Sequence, residues 1–351
     1  MPLLARMIST PLAIEVRRGA IADLGAVLAD QRISAGGDVA VVVGPGQGER
    51  IVELIRPSLE RAEVFGVSGG TLDAALELSH QLGANHFDAV VGIGGGKTLD
   101  TAKYAASRRA LPMVSVPTSL AHDGIASPVA SLDHDGGRHS YGVHMPLAVV
   151  VDLEHVAAGP VRQTRSGIGD ALSNLNAVAD WELAHAERGE PIDGLAVALS
   201  RGSAEALLHH PGTVGDDSFT TALAEALILG GIAMAVCGSS RPCSGGCHEI
   251  SHALDAIARD VATHGEQVGF GALLCTFLRG DAARFDHLSA CLARHGLPRT
   301  PDELGLTEEQ LVAAVVAAPG TRPDRYTILE HLALTPDQVR ARIKEYVDAV
   351  T

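Results

Sequence analysis

The stretch FDAVVGIGGGKTLDTAKYAASRRALPMVSVPTS, residues 87–119, decides the fold. It opens with a continuous apolar run, turns through three consecutive glycines, and continues with apolar residues at three- and four-residue spacing. A second β-branched run, PMVSVPTS at 112–119, closes it. Strand, glycine turn, helix and strand in this order predict a parallel sheet covered by helices. Runs such as AVV suit strands buried on both faces.

Working outward, the same alternation fills the first part of the chain. Further strands are expected at DVAVVVG (38–44) and EVFGVSG (63–69), with helical patterns at GERIVELIRPSLERA (48–62) and TLDAALELSHQLGA (71–84). Residues 127–153, SPVASLDHDGGRHSYGVHMPLAVVVDL, read as an antiparallel excursion around a DHDGG turn. After Asp152 the strand-like runs stop. Ala- and Leu-rich helical patterns take over, for example GDALSNLNAVADWELAHA (169–186) and TTALAEALILGGIAMAV (220–236). The expected architecture is α/β: a Rossmann-like parallel-sheet nucleotide domain over 1–155, then an all-helical metal-binding domain over 156–351. An active site is expected in the cleft between two such domains.

Composition narrows the function. Lys plus Arg number 27 against 42 Asp plus Glu, giving a formal charge of −15. That field, with aromatics at only 3 % of 351 residues, argues against binding to nucleic acid. The N-terminus MPLLARMISTPLAIEV lacks the pattern of an export signal, and the uncharged stretch between Glu225 and Arg241 reads as a buried core helix rather than a membrane span. Five cysteines, an odd number in a chain able to build a core, point away from a disulfide framework and toward the cytoplasm. Glycine at 39 residues and histidine at 16 point instead to backbone-built anion loops and to a metal or proton-transfer site.

GIGGGKTLD (92–100) is the expected anion loop, because glycines let the backbone approach a phosphate and a helix N-terminus offers free N–H groups. It is neither a dinucleotide G-x-G-x-x-G, which needs glycine where Lys97 stands, nor a P-loop, which needs glycine at Val91. The alternative is a tight turn that binds nothing. In SGGCHEISHALDAIARDVATHGEQVGFG (244–271), His248 and His252 share one helical face and His264 opens the next helical pattern. Two histidines from successive helices and one carboxylate would form a three-ligand site with an open position. Asp170, at an expected glycine-flanked helix start, is the best carboxylate candidate. A closed structural site from Cys243, Cys247, His248 and His252 is the alternative. His185, His209, His210, His287, His295 and His331 read as hydrogen-bonded structural histidines. VPTSLAHDGIASPVASL (116–132) suits a ligand-lining loop at the carboxyl end of a strand, or an ordinary turn.

Together GGGKTLDTAK, PTSLAHDGIASP, GIGDALSNLNAVADW, GSSRPCSGGCHEISHALD and HGEQVGFG resemble the metal-dependent polyol dehydrogenases, a superfamily that includes glycerol dehydrogenase, iron-containing alcohol dehydrogenase and dehydroquinate synthase. Within it the resemblance is to the glycerol-1-phosphate dehydrogenases. It implies that Gly94, Gly95, Gly96, Lys97 and Thr98 cradle a cofactor pyrophosphate, with Thr118, Ser119, Leu120, Ala121 and Ser127 lining the rest of an NAD(P)H molecule. It implies a divalent metal on Asp170, His248 and His264, and catalytic, substrate-contacting roles for Asp123 and His252. Arg241 is expected to grip a substrate phosphate bidentately, with Asp170 also at the substrate.

Iron-containing relatives carry a histidine where Asn174 stands, which favours Zn²⁺, with Ni²⁺ as the alternative. Cys247 occupies a position where glycerol-1-phosphate dehydrogenases usually have Glu. Gly44 replaces an Asp often found in relatives that prefer NAD, which makes room for NADPH. The implied activity is interconversion of dihydroxyacetone phosphate and sn-glycerol 1-phosphate by a homo-oligomer. The alternatives are a dehydrogenase of an unphosphorylated polyol, or a sugar-phosphate cyclase. GGGKTLDTAK departs from the GGGVxGDxxG usual in the cyclases.

Overall fold

The computed structural model describes residues 8–56, 59 and 61–351. The chain divides into two compact units, residues 1–160 with 234–238, and residues 161–233 with 239–351.

The first unit is built on a six-stranded, wholly parallel sheet in the order β1 (Ala13–Arg17), β8 (Ala148–Asp152), β5 (Met113–Pro117), β4 (Phe87–Gly94), β2 (Asp38–Val43), β3 (Ala62–Gly66). Helices α1 (Leu24–Leu28), α2 (Gln47–Ile55), α3 (Leu72–Leu82), α4 (Gly96–Arg108) and α5 (Leu153–Ala157) connect and flank it. The four inner strands are nearly continuous in buried Val, Ala and Ile, as expected of strands covered on both faces. Expected residues 57, 58 and 60 of the second helical pattern lie outside the described residues; α2 ends at Ile55.

Two readings are corrected here. AVVVD belongs to the main sheet as β8, parallel to both β1 and β5, rather than to an antiparallel excursion. Only β6 (Val129–His134) and β7 (Gly137–Gly142) form that hairpin, closed by Asp135 and Gly136 at φ 48° and 77°, the left-handed pair a two-residue hairpin turn requires. The strand β1, AIEVR, had no sequence signal because it is a half-exposed edge with mixed polarity.

From β2 the chain runs outward to β3, then returns to the other side of β2 as β4. This reversal makes the carboxyl ends of β2 and β4 the switch point where parallel sheets bind ligands. The glycine turn sits there: β4 ends at Gly94 and α4 begins at Gly96.

The second unit is helical: α6 (Val161–Arg188), α7 (Gly194–Leu208), α8 (Asp217–Cys237, except its last residues 234–237), α9 (Gly246–Ile257), α10 (His264–Arg279), α11 (Ala282–His295), α12 (Pro301–Leu304), α13 (Glu308–Ala317), α14 (Ile328–Leu332) and α15 (Pro336–Val350). The helix α8 extends beyond the uncharged stretch because it also incorporates Asp217 and Glu225. Its 21 residues pass the length and apolarity test for a membrane span, with 67 % of the most apolar window buried inside the protein, as in a core helix. Glycines set how closely the central helices pack. A Cβ on Gly169 would lie 2.1 Å from the Gly265 oxygen, and one on Gly265 would lie 1.6 Å from the Ser166 oxygen. Backbone therefore meets backbone where α6 crosses the start of α10.

Candidate active site

That crossing brings Asp170 beside His264. Asp170 lies in the interior of α6, not at a helix start; the GIGD glycines serve close packing rather than helix termination. His264 is the first residue of α10, fixed by a capping box in which Thr263 and Glu266 satisfy each other's backbone N–H. Arg162 holds the Glu266 carboxylate bidentately, with Nε–Oε1 at 2.9 Å and Nη2–Oε2 at 2.7 Å.

His248 is the third residue of α9. That helix is anchored by side chains from α6: Asn176 Oδ1 accepts the Cys247 N–H at 3.1 Å and Asp180 Oδ2 accepts the Gly246 N–H at 2.8 Å. Gly271 lets α10 approach, since a Cβ there would meet the Cys247 oxygen at 2.9 Å.

The outcome is a compact donor set. One oxygen of Asp170 lies 3.5 Å from His264 Nε2 and 4.0 Å from His248 Nε2, and the three donor atoms all fall within 4.8 Å of one another. Among the described residues no other group of three His, Cys, Asp or Glu offers such a cluster. The outer ring nitrogens have their own partners. Ser251 Oγ donates to Gln267 Oε1 at 2.6 Å, so it presents a lone pair toward His264 Nδ1, 3.4 Å away. In the neutral ring the proton then resides on Nδ1, and Nε2 turns its lone pair toward Asp170. Burial, with His264, His252, Arg325 and Arg322 nearby, holds His248 well below its ordinary 6.5 and favours its neutral form. An aspartate and two imidazoles converging through these atoms match a three-ligand divalent-cation site.

Cys247 is not part of this set. Burial pushes its thiol up to about 12, so it stays protonated, and Cys243 is buried near the Gly230 carbonyl. Asn174, one turn beyond Asp170, is buried. His252 stands outside the trio, with Nε2 3.1 Å from Arg322 Nη2. Arg241 requires a correction. Its Nε and Nη2 fork is taken by Glu190 at 2.9 and 3.1 Å, and Nη2 also donates to the Tyr326 carbonyl at 2.8 Å. A bidentate grip on phosphate is unavailable while those bonds stand.

In the first unit the glycine loop is packed from below. A Cβ on Gly44 would lie 2.1 Å from Thr98 Oγ1, and one on Gly96 would lie 2.3 Å from His122 Nε2. The N-cap, Gly95, contributes no side-chain bond to the first helical N–H groups of α4. Lys97 is exposed beside them. The β5 extension docks on the loop, with the Thr118 N–H on the Gly94 carbonyl at 3.0 Å and Ser119 next to Gly95. Leu120, Ala121 and Ser127 are turned into the fold, and Asp123 begins a short 3₁₀ turn in this same unit. The second lysine of the segment, Lys103, is structural: buried, it pairs with Asp100 at 2.9 Å and donates to the carbonyls of Gly124, Ser127 and Val129.

A glycerol-1-phosphate dehydrogenase [NAD(P)+] of Hyperthermus butylicus is 38 % identical over 93 % of this chain and 95 % of its own length. One from Methanosarcina mazei is 34 % identical over 98 % of both. The chain belongs to the glycerol-1-phosphate dehydrogenase family. Residues 15–160 also match the iron-containing alcohol dehydrogenase family model. The fold is shared with a glycerol dehydrogenase from Schizosaccharomyces pombe, at a TM-score of 0.77 and 23 % identity over 99 % of this chain and 91 % of that one.

Two residues of this glycerol-1-phosphate dehydrogenase family member escaped the sequence reading. Arg322 and Arg325, in the loop TRPDRYT (321–327), face α9 and its N-terminal approach. A Pro-Asp-rich segment of that kind reads as a surface turn. The only cue was two arginines three residues apart.

Proposed function

We propose that the chain is an NAD(P)H-dependent oxidoreductase that interconverts dihydroxyacetone phosphate and sn-glycerol 1-phosphate. The observation that carries this reading is the convergence of Asp170, His248 and His264 in a chain of this family. Those three residues would hold one divalent cation, Zn²⁺ in preference to Fe²⁺ given Asn174, whose contribution is Lewis-acid polarisation of the substrate oxygen.

Gly94, Gly95, Gly96, Lys97 and Thr98 at the sheet's switch point support binding of the dinucleotide pyrophosphate through backbone N–H groups and one exposed ammonium. Thr118 and Ser119 extend that surface. The absence of a carboxylate at Gly44 supports acceptance of the 2′-phosphate of NADPH beside NADH. His252, one helical turn from His248 on α9, is suited to contact the substrate hydroxyl, and Asp123 keeps the substrate contact implied for it. Five free cysteines support a reducing cytoplasmic setting.

The test follows NADPH and NADH oxidation with dihydroxyacetone phosphate and with unphosphorylated ketones, before and after chelation and after adding back Zn²⁺ or Ni²⁺. Metal-dependent turnover that favours the phosphorylated ketone is expected. Turnover of unphosphorylated ketones only, or tightly bound NAD recycled without net consumption, would overturn the reading.

A further inference from the structure

Arg322 follows the 3₁₀ turn Ala318–Thr321, which packs on α9. A guanidinium only donates, so at 3.1 Å its Nη2 donates to His252 Nε2. Among the described residues that is the only polar partner of its side chain, and no carboxylate pairs with it. Arg325 gives its N–H groups to the Ser244 carbonyl and, at 2.7 Å, to Ser240 Oγ, both uncharged. The neighbouring acid, Glu249, is engaged elsewhere: its Oε2 bonds Thr327 at 3.0 Å rather than an arginine. Arg241, by contrast, is ion-paired with Glu190 through Nε and Nη2, with only its buried Nη1 left without a partner among the described residues.

Two part-buried guanidiniums with no carboxylate in salt-bridge contact among the described residues thus lie together in a chain of net charge −15. Their mutual repulsion costs free energy that a bound anion would offset. Their place is also specific. Arg322 touches His252, one helical turn from His248 on α9, and a three-carbon ketone phosphate is short enough that its phosphate must be recognised close to its reacting carbonyl.

We propose that Arg322 recognises the phosphate of the substrate, with Arg325 adding a second positive charge, and that Arg241 is a structural cation bound to Glu190. The proposal deepens the functional reading above and rests on it for the identity of the phosphorylated substrate.

The test compares wild type, Arg322→Gln, Arg322→Lys and Arg241→Gln, all checked for metal content and melting temperature. Calorimetry measures inorganic phosphate binding. Steady-state kinetics measure KM for dihydroxyacetone phosphate and for dihydroxyacetone. Loss of charge-assisted bonds should weaken phosphate binding and raise the dihydroxyacetone phosphate KM by roughly 30-fold in Arg322→Gln, with a several-fold smaller effect on dihydroxyacetone. Arg322→Lys should recover part of both, and Arg241→Gln should chiefly lower the melting temperature. Equal losses for the two ketones, or phosphate binding unaltered by Arg322→Gln, would overturn the proposal while leaving the oxidoreductase reading standing. Arg322-dependent phosphate binding in a wild type that does not reduce dihydroxyacetone phosphate would support the anion site and overturn the substrate assignment.

Discussion

The buried carboxylate of Asp180 accepts the backbone N–H of Gly246 at 2.8 Å, so a side chain of α6 caps the first turn of α9 from outside the helix. Its other oxygen accepts the Ile328 N–H at 2.8 Å and Arg279 Nη2 at 2.6 Å. An anion at a helix N-terminus is favourable, and here it also fixes the helix that carries His248 two residues further on. Asp180→Ala should cost about 3–5 kcal/mol, because it leaves Arg279 and two amides without their acceptor. Asp180→Asn should cost less. Both should weaken metal retention roughly tenfold, measured by dialysis against chelator. Full metal retention in a folded, destabilised variant would show that Asp180 serves stability alone.

The Gly169–Gly265 contact leaves no room for a methyl group. Gly265→Ala would press its Cβ against the Ser166 carbonyl and force α6 and α10 apart. A loss of about 3 kcal/mol is expected in urea unfolding, with reduced metal content because Asp170 and His264 separate. Gly202 supplies the contrast: it is exposed within α7 and a Cβ there meets nothing within 4 Å. Gly202→Ala should stabilise the protein by about 0.5–1 kcal/mol.

These glycines show what was legible in the sequence. The GIGD glycines read as a helix start, and only the packing of α6 on α10 shows their use, whereas His248 with His264 announced a ligand set, because imidazoles leave a distinctive local pattern. The buried strands were legible for the same reason, as unbroken apolar runs. What could not be read was anything set by long-range pairing. The edge strand β1 gains its identity only against β8. Asp180 looks like any polar residue in α6 until α9 arrives. Arg241 reads as a free phosphate ligand until Glu190, distant in sequence, claims its fork.

At the glycine loop, Gly96→Ala would place a methyl 2.3 Å from His122 Nε2, while the Gly124 N–H holds the same ring at Nδ1 from the other side at 3.0 Å. The ring must move, and the loop with it. The KM for NADPH should rise roughly tenfold with little change in melting temperature. A large fall in thermal stability with unchanged KM would place the effect in folding instead.

His295 predicts an acid sensitivity unrelated to the active site. It is buried, stacked on Phe219 at 4.5 Å, and among the described residues neither ring nitrogen has a hydrogen-bond partner, unlike the hydrogen-bonded role read from the sequence. Burial, helped by Arg294 and Arg165, lowers it from 6.5 to about 4. The unfolded chain therefore takes up a proton between those values that the native state refuses. Stability falls as pH drops through that window, by up to about 3 kcal/mol from this residue. His295→Phe should flatten the pH 4–6.5 limb of a urea-unfolding series, and an unchanged limb would assign the acid loss elsewhere.

Glu249 predicts the opposite slope. Its Oε2 and the Oε2 of Glu330 lie 3.0 and 2.6 Å from the single hydroxyl of Thr327. That hydroxyl has one proton, so both contacts are hydrogen bonds only when a carboxyl supplies a second. Burial, reinforced by Glu330, raises Glu249 from 4.5 to about 8, which makes it the donor at neutral pH. The native state then holds a proton that the unfolded chain has lost. Stability from this group is present at low pH and declines as pH rises from 4.5 through 8, after which it is flat. Glu249→Gln keeps an N–H donor in place of the acid proton and removes the titration. Its melting temperature should match or exceed wild type at pH 8.5 and show a shallower slope between pH 6 and 8.5. A variant that tracks wild type across that range would mean that Glu249 is ionised in the native protein and that Arg325, beside it, is its counter-ion.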